Sequence, residues 1–204
     1  MKRRLTLFFI FFIPLHISYA QTNINIIRYT HLPYKFKKIL VISLNKIYED
    51  RKTIENEISW WVNNKGFRAY SYNKLSQSQE LPSSNIINNV VEENEFDAVL
   101  VSDITDIQMK ERYENRQSRN NYNPAKPSFY NFLDTYNNST NLGYNYNTKS
   151  YIINTRLFEV KSENVIFEVT SDTYESINLD KAIESYAKSL ANALKKSKFL
   201  EKKN

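Results

Sequence analysis

The apolar residues in the first half of the chain form two kinds of run, one nearly continuous and one with helical spacing. Residues 38–44, KILVISL, are almost all apolar, which is typical of a strand buried on both faces of a parallel sheet. Residues 67–72 and 96–104 are two further strand-like runs. Between these runs, apolar residues recur with helical spacing over about 50–64 and again after Pro82. Strands that alternate with helices predict two β-α-β crossovers.

Each predicted helix has one apolar face that should pack on the sheet. The buried face of the first helix is expected to contain Ile54, Ile58, Trp61 and Val62. That of the second helix is expected to contain Ile86, Ile87, Val90 and Val91. Gly66 follows the first helix, where a left-handed cap favours glycine.

The second half of the chain predicts a hairpin followed by a long helix. Strand-like runs at about 150–160 and 165–173 flank a polar turn, and a helical pattern covers about 179–199. The sequence therefore predicts one α/β domain over residues 38–200. Its fold class is a three-layer structure, a five-stranded mixed sheet with helices on both faces.

The N-terminus has the pattern of a signal peptide. Positive residues at 2–4 precede an apolar run at 5–13, and small residues at 18–20 suit a signal peptidase. The apolar run has nine residues, whereas a membrane-spanning helix needs about 20. We expect cleavage between Ala20 and Gln21, and an exported protein that is periplasmic or associated with the cell envelope. Residues 21–37 predict a polar lead in which Pro33 interrupts any regular element.

Composition narrows the classes of partner and chemistry. The formal net charge is +6, but half of it lies in residues 2–4, and the remaining excess is too scattered to predict nucleic-acid binding. The chain contains no cysteine, which excludes disulfides, thiol catalysis, cysteine–zinc sites and a covalent lipid anchor on cysteine.

Enzyme motifs are missing as well. Outside the predicted signal peptide the only histidine is His31, so neither an HExxH zinc site nor a Ser–His pair in the body of the domain can form. The two glycines, Gly66 and Gly143, cannot make a Walker loop or a dinucleotide fingerprint. We therefore predict no cofactor, no metal site and no catalytic residue.

Two smaller features could take part in binding. Asp103 and Asp106 follow the apolar part of the third strand, at the carboxyl end where open α/β sheets usually bind ligands. They predict either a cation or polar-ligand site or a solvated strand end, and the second interpretation is favoured because no further ligand residues are spaced with them. Trp60 and Trp61 are helix neighbours, so one should be in the core and the other on a partly covered flank.

The most unusual segment is residues 112–148, which are rich in tyrosine and asparagine and have no periodicity. Aromatic side chains in a polar loop can form a recognition surface, because they bury much area at low rotamer cost. A long disordered crossing is an equally good interpretation. If the segment binds a partner, Tyr130, Phe132 and Tyr136 are the expected anchors.

The order of elements resembles a known group of proteins. FDAVLV at 96–101 and TRLFEVKSENVIFEV at 155–169 are similar to uncharacterised bacterial envelope proteins whose domain is related to the N-terminal domain of TolB and to the curli secretion lipoprotein. Phe167 stands where those families often have a tryptophan. The resemblance implies strand order 2-1-3-4-5 with strand four antiparallel, and a role in envelope complexes. Many relatives are lipoproteins, whereas this chain has no cysteine to acylate.

These observations predict an exported, non-enzymatic domain that binds another envelope component, either a protein or a glycan. The alternative is a small-ligand or cation-binding protein that uses the sheet edge near Asp103 and Asp106. The sequence leaves the oligomeric state and the identity of the partner open.

Overall fold

The computed structural model describes residues 21–76, 78–109, 149–175 and 179–203, which form a mixed α/β fold around one six-stranded sheet. Within these ranges, no helix is both long enough and apolar enough to cross a membrane. In chain order the elements are β1 (Gln21–Tyr29), β2 (Ile39–Ser43), α1 (Tyr48–Asn64), β3 (Ala69–Ser71), α2 (Tyr72–Ser76), α3 (Ser84–Glu93), β4 (Ala98–Met109), β5 (Lys149–Glu159), β6 (Val165–Glu175) and α4 (Leu179–Ser197).

The sheet has the order β1-β6-β5-β4-β2-β3. β2 pairs in parallel with β3 and β4, whereas β5 is antiparallel to both β4 and β6. The five predicted strands are therefore neighbours as β3-β2-β4-β5-β6. The predicted strand number is wrong, because β1 pairs antiparallel with β6 and adds a sixth strand.

The sixth strand comes from the segment for which the sequence predicts an irregular lead. Thr22 Oγ1 lies 3.0 Å from Thr173 Oγ1 of β6 and donates to Ser185 Oγ of α4 at 3.0 Å. Ile24 packs against the core, whereas Ile26 and Ile27 are more than half exposed around a register shift. Backbone pairing with β6 and the polar contacts of Thr22 therefore attach β1 together with Ile24, and its apolar pattern is too weak to distinguish it from a loop.

One face of the sheet packs against α1 and α4. The predicted face of α1 is largely confirmed, since Ile54, Ile58 and Val62 are fully buried and Trp61 is partly buried against the same core. The strand residues that pack against these helices occupy alternate positions, as the two-residue period of a strand requires. The sheet residues in this core include Ile39, Val41, Ala98, Leu100, Ile153, Leu157, Phe167 and Val169.

The other face packs against α3, so the described helices lie on both faces. Ile87 and Val91 of α3 are buried against Leu40, Ile42 and Val101. The prediction that Ile86 is buried is wrong, because its side chain is 47% exposed. The ten-residue helix contacts the sheet along a narrower stripe than its apolar pattern suggests.

Two element boundaries differ from the sequence prediction. Tyr72 is the first residue of α2 rather than the last residue of a strand. β4 continues beyond Ile104 to Met109, since β5 pairs with it along its whole length. This extension brings Asp106 into the sheet together with Asp103. The favoured interpretation of a solvated strand end is wrong for Asp103, which is 5% exposed within β4.

A buried hydroxyl cluster joins α4 to the two central strands. The Tyr186 hydroxyl lies 2.8 Å from Ser102 Oγ of β4 and is also hydrogen-bonded to Thr155 Oγ1 of β5. All three residues are at most 1% exposed. Burial raises the pKa of Tyr186 to about 12, so its phenol stays neutral and can both donate and accept a hydrogen bond.

We predict that Tyr186→Phe lowers the free energy of unfolding by about 1–3 kcal/mol, because two buried hydroxyls lose a partner that water cannot easily replace. Urea denaturation measures the change. Tyr29→Phe is the matched control, since the Tyr29 hydroxyl donates to the Ser197 carbonyl at 2.9 Å from a side chain that is 48% exposed. If both substitutions lower the free energy of unfolding equally, the buried cluster is no more stabilising than the partly exposed hydrogen bond of Tyr29.

Candidate functional site

A groove of about 400 Å³ lies between α1 and the edge strand β3. The α1 residues that line it are spaced by three and four positions, so they form one helix face, distinct from the buried face around Ile58. The lining residues are Asn56, Ser59, Trp60, Asn63, Asn64, Ala69, Tyr70, Ser71, Lys74, Leu75 and Lys203.

The side chain of Asn63 closes part of the free edge of β3. Its Nδ2 donates to the Ala69 carbonyl at 2.7 Å, and its Oδ1 accepts from the Ala69 N–H at 3.2 Å. The amide thus replaces the neighbouring strand that β3 lacks on this side. A side chain that occupies these backbone groups disfavours the addition of a peptide strand at this position.

A buried glutamate fixes the other end of the groove. Glu55 accepts hydrogen bonds from the Ser43 N–H at 3.1 Å and from the Asn73 N–H at 2.7 Å. These contacts connect α1 to the end of β2 and to α2, which carries Lys74 and Leu75. Burial raises the pKa of Glu55, and the hydrogen bonds from Ser43 and Asn73 oppose that rise. The walls of the groove are therefore positioned by a residue that does not line it.

The base of the groove has polar groups that protein contacts leave unsatisfied. Ser59 is 6% exposed, and its hydroxyl has no hydrogen-bond partner among the described residues. Asn56 accepts from Ser71 Oγ at 3.0 Å through Oδ1, so its Nδ2 stays available to donate. A buried hydroxyl without a partner is costly unless something else satisfies it.

An aromatic ring and two cations complete the groove. Trp60 is 55% exposed, and its ring contacts Trp61 edge to face with centroids 4.8 Å apart. Lys203 Nζ donates to Asn63 Oδ1 at 2.8 Å, while Lys74 is exposed on α2. The predicted division of the tryptophans is confirmed in part, because Trp61 is partly buried against the core and Trp60 is more exposed than a partly covered flank.

The two predicted aspartates lie on the opposite face of the sheet from α1 and α4. Three positions apart in a regular strand they would face opposite ways, but a register shift between Ile104 and Asp106 brings them to the same face. Asp103 is 5% exposed, and its Oδ1 has no hydrogen-bond partner in the described part of the chain. Burial raises the pKa of Asp103 to about 7, and the nearby charge of Arg156 opposes this rise.

The surroundings of Asp103 are mostly polar. Its register partner is Asn154, which accepts a hydrogen bond from Thr170 at 2.8 Å. Arg156 Nε donates to Glu168 Oε1 at 2.7 Å in a largely buried ion pair. Across residues 21–76, 78–109, 149–175 and 179–203, no three carboxylate or histidine side chains are grouped so that they could hold a metal ion.

The structure does not test the other predicted binding residues. Tyr130, Phe132 and Tyr136 lie outside the described residues, as do the predicted signal peptide and cleavage site and all of segment 112–148. His31 is exposed after β1. The groove was not predicted from the sequence. Trp60, an aromatic residue on an otherwise polar face of α1, was a sequence signal for it.

Comparisons with known proteins give fold similarities only. No protein-family model and no curated protein sequence matches the chain. The resemblance to the TolB N-terminal domain and the curli secretion lipoprotein therefore stays a prediction.

Three solved structures of bacterial proteins are similar over most of their length. A variant of PelC from Paraburkholderia phytofirmans, solved as a dodecamer, is 10% identical, covers 84% of this chain and 98% of its own, and has a TM-score of 0.48. A second PelC dodecamer is 9% identical, with coverages of 82% and 95% and a TM-score of 0.47. The lipoprotein GNA1162 from Neisseria meningitidis is 11% identical, with coverages of 77% and 96% and a TM-score of 0.42. Because the identities and TM-scores are this low, the oligomeric state and the ligands of those proteins are not assigned to this chain.

We predict that Asp103 makes stability depend on pH. The pKa of about 7 keeps Asp103 protonated in the folded state up to about pH 7, whereas the pKa of an aspartate carboxyl in an unfolded chain is near its ordinary value of 3.8. The folded state therefore binds more protons between these values, and the free energy of unfolding should fall as the pH rises from about 4 to about 7 and then level off.

Urea denaturation across this pH range tests the prediction. Asp103→Asn keeps the shape of the protonated carboxyl and should flatten the decline. Asp106→Asn is the matched control and should keep the decline, because it leaves Asp103 in place. The same slope in wild type and Asp103→Asn would refute the assignment.

Proposed function

We propose that this chain is an exported, non-enzymatic domain that binds another component of the bacterial envelope through the groove between α1 and β3. The observation that carries the proposal is the combination, in one concave site, of the exposed Trp60 ring with the unsatisfied buried hydroxyl of Ser59. An exposed aromatic ring provides apolar contact area, and a few convergent polar groups fix the orientation of a ligand.

Export is supported by the sequence pattern of residues 1–20, and envelope location by the resemblance described above. A non-enzymatic role is supported by the chemistry of the groove. Its side chains are amides, hydroxyls, lysines and apolar groups, and none of the lining residues is a histidine or a carboxylate, the side chains that most often act as general bases. Such a site is suited to binding.

A second candidate function is supported by the cluster on the other face of the sheet. The unpaired Oδ1 of buried Asp103, with Asp106 on the same face, would suit a small polar ligand or a cation. This site has one strongly buried carboxylate and a neighbouring Arg156, whose positive charge competes with a cation. We therefore rank it below the groove.

We predict that Trp60→Ala weakens binding to solubilised envelope material by at least about tenfold, since a loss of about 1.4 kcal/mol or more is expected when an aromatic anchor is removed. The melting temperature should hardly change, because the ring is 55% exposed. Binding is measured by retention of envelope material on the immobilised protein over a concentration series.

Ile86→Ala is the matched control, because it removes an exposed apolar side chain from α3 on the other face of the sheet. It should bind like the wild type. If Trp60→Ala also binds like the wild type, the groove is not the binding site. If Asp103→Asn alone abolishes binding, the second candidate function is correct. Loss of binding only when residues 115–146 are deleted would assign it to the segment containing Tyr130, Phe132 and Tyr136.

A further inference from the structure

The charge of the groove narrows the class of ligand. Two lysines, Lys74 and Lys203, line the groove, and none of the other lining residues has an acidic side chain that would balance their charge. The carboxylate of Glu55, which fixes one end of the groove, is fully buried and already accepts from Ser43 and Asn73. A ligand that carries its own negative charge would complement this site.

Several hydrogen-bonding groups of the groove are available only as donors. Asn56 has used its oxygen on Ser71 and offers its Nδ2, and both lysine ammonium groups can only donate. The Ser59 hydroxyl can donate or accept. A ligand rich in oxygen acceptors, with some hydroxyl groups, therefore matches the groove better than a hydrocarbon or an amine does.

The backbone edge argues against an extended peptide as the occupant. A peptide that adds to a sheet edge binds mainly through main-chain hydrogen bonds. Here the Ala69 N–H and C=O are both occupied by the Asn63 amide. Lys203 also contacts that amide, so its ammonium group lies where an added strand would begin to pair.

The size of the groove and its exposed aromatic ring suit a ring-shaped ligand. Its volume of about 400 Å³ is within the range of small-ligand pockets, about 300–1,000 Å³. Trp60 is held against Trp61 at a ring-centroid distance of 4.8 Å, and Trp61 in turn has Lys65 and Lys188 over its ring at 5.7 and 5.3 Å. These contacts orient the exposed ring before a ligand binds, which lowers the entropic cost of association.

We propose that the groove binds an acidic saccharide, with a sugar ring against Trp60, sugar hydroxyls at Ser59 and Asn56, and the carboxylate of a hexuronate near Lys74 and Lys203. This inference rests on the proposed function and specifies the envelope component as a glycan with uronic acid residues.

The test is isothermal titration with matched trisaccharides. The probes are the trimers of galacturonic, glucuronic and mannuronic acid, each also prepared as its methyl ester, which keeps the ring and removes the charge. At least one acid should bind at least about tenfold more tightly than its ester, and added salt should weaken that preference.

Replacing both lysines, Lys74→Gln with Lys203→Gln, should abolish the preference, whereas Lys161→Gln in the β5–β6 turn should retain it. Trp60→Ala should weaken acid and ester alike.

The outcomes separate this inference from the proposed function. Equal binding of acid and ester, or no binding of any trimer while retention of envelope material still depends on Trp60, would overturn the acidic-saccharide assignment and leave the groove as the binding site. A preference for acids that survives replacement of both lysines would also overturn it. Retention that is independent of Trp60 would instead remove the proposed function.

Discussion

The fold depends on the pairing of β4 with two neighbours of opposite direction. Over residues 98–102 this strand pairs with β2 in parallel on one side and with β5 antiparallel on the other. The parallel side requires helical crossovers, which place α1 and α3 on opposite faces, and the antiparallel side accepts the β5–β6 hairpin and β1. Ser102 of β4 also joins Thr155 and Tyr186 in the buried hydroxyl cluster, so the same strand fixes α4.

The groove is a consequence of this arrangement. β3 is short and forms the edge of the parallel half, so the face of α1 that extends beyond the sheet has no strand to cover it. Asn63 closes the exposed backbone, Glu55 holds α2 against α1, and the chain end brings Lys203 back to Asn63 and to the Gly66 carbonyl. Three elements distant from the sheet centre thus meet around Trp60 and Ser59 while the core remains apolar.

The sequence predicted the elements whose apolar period is set by burial. Ile54, Ile58 and Val62 on α1, and the continuous apolar run of β2, identified a helix and a buried strand because both contact the core directly. β1 was missed because backbone pairing and the polar contacts of Thr22 supply most of its attachment, and its Ile26 and Ile27 are exposed at an edge. The shared face of Asp103 and Asp106 depends on a register shift in β4, which residue spacing alone does not reveal. The groove could not be predicted either, because it requires the C-terminal Lys203 to lie beside α1, a contact across 140 positions of sequence.

Binding of a ligand at Trp60, as proposed, should change the indole N–H signals of the ¹⁵N-labelled protein. The chain contains two tryptophans, so the spectrum has two indole signals, which single substitutions assign. Trp60 lines the groove, whereas Trp61 packs against the core between α1 and α4. On titration with solubilised envelope polysaccharide, we expect a saturable shift of the Trp60 signal that is larger than that of Trp61. A titration in which backbone signals around Asp103 move and the Trp60 indole does not would contradict it.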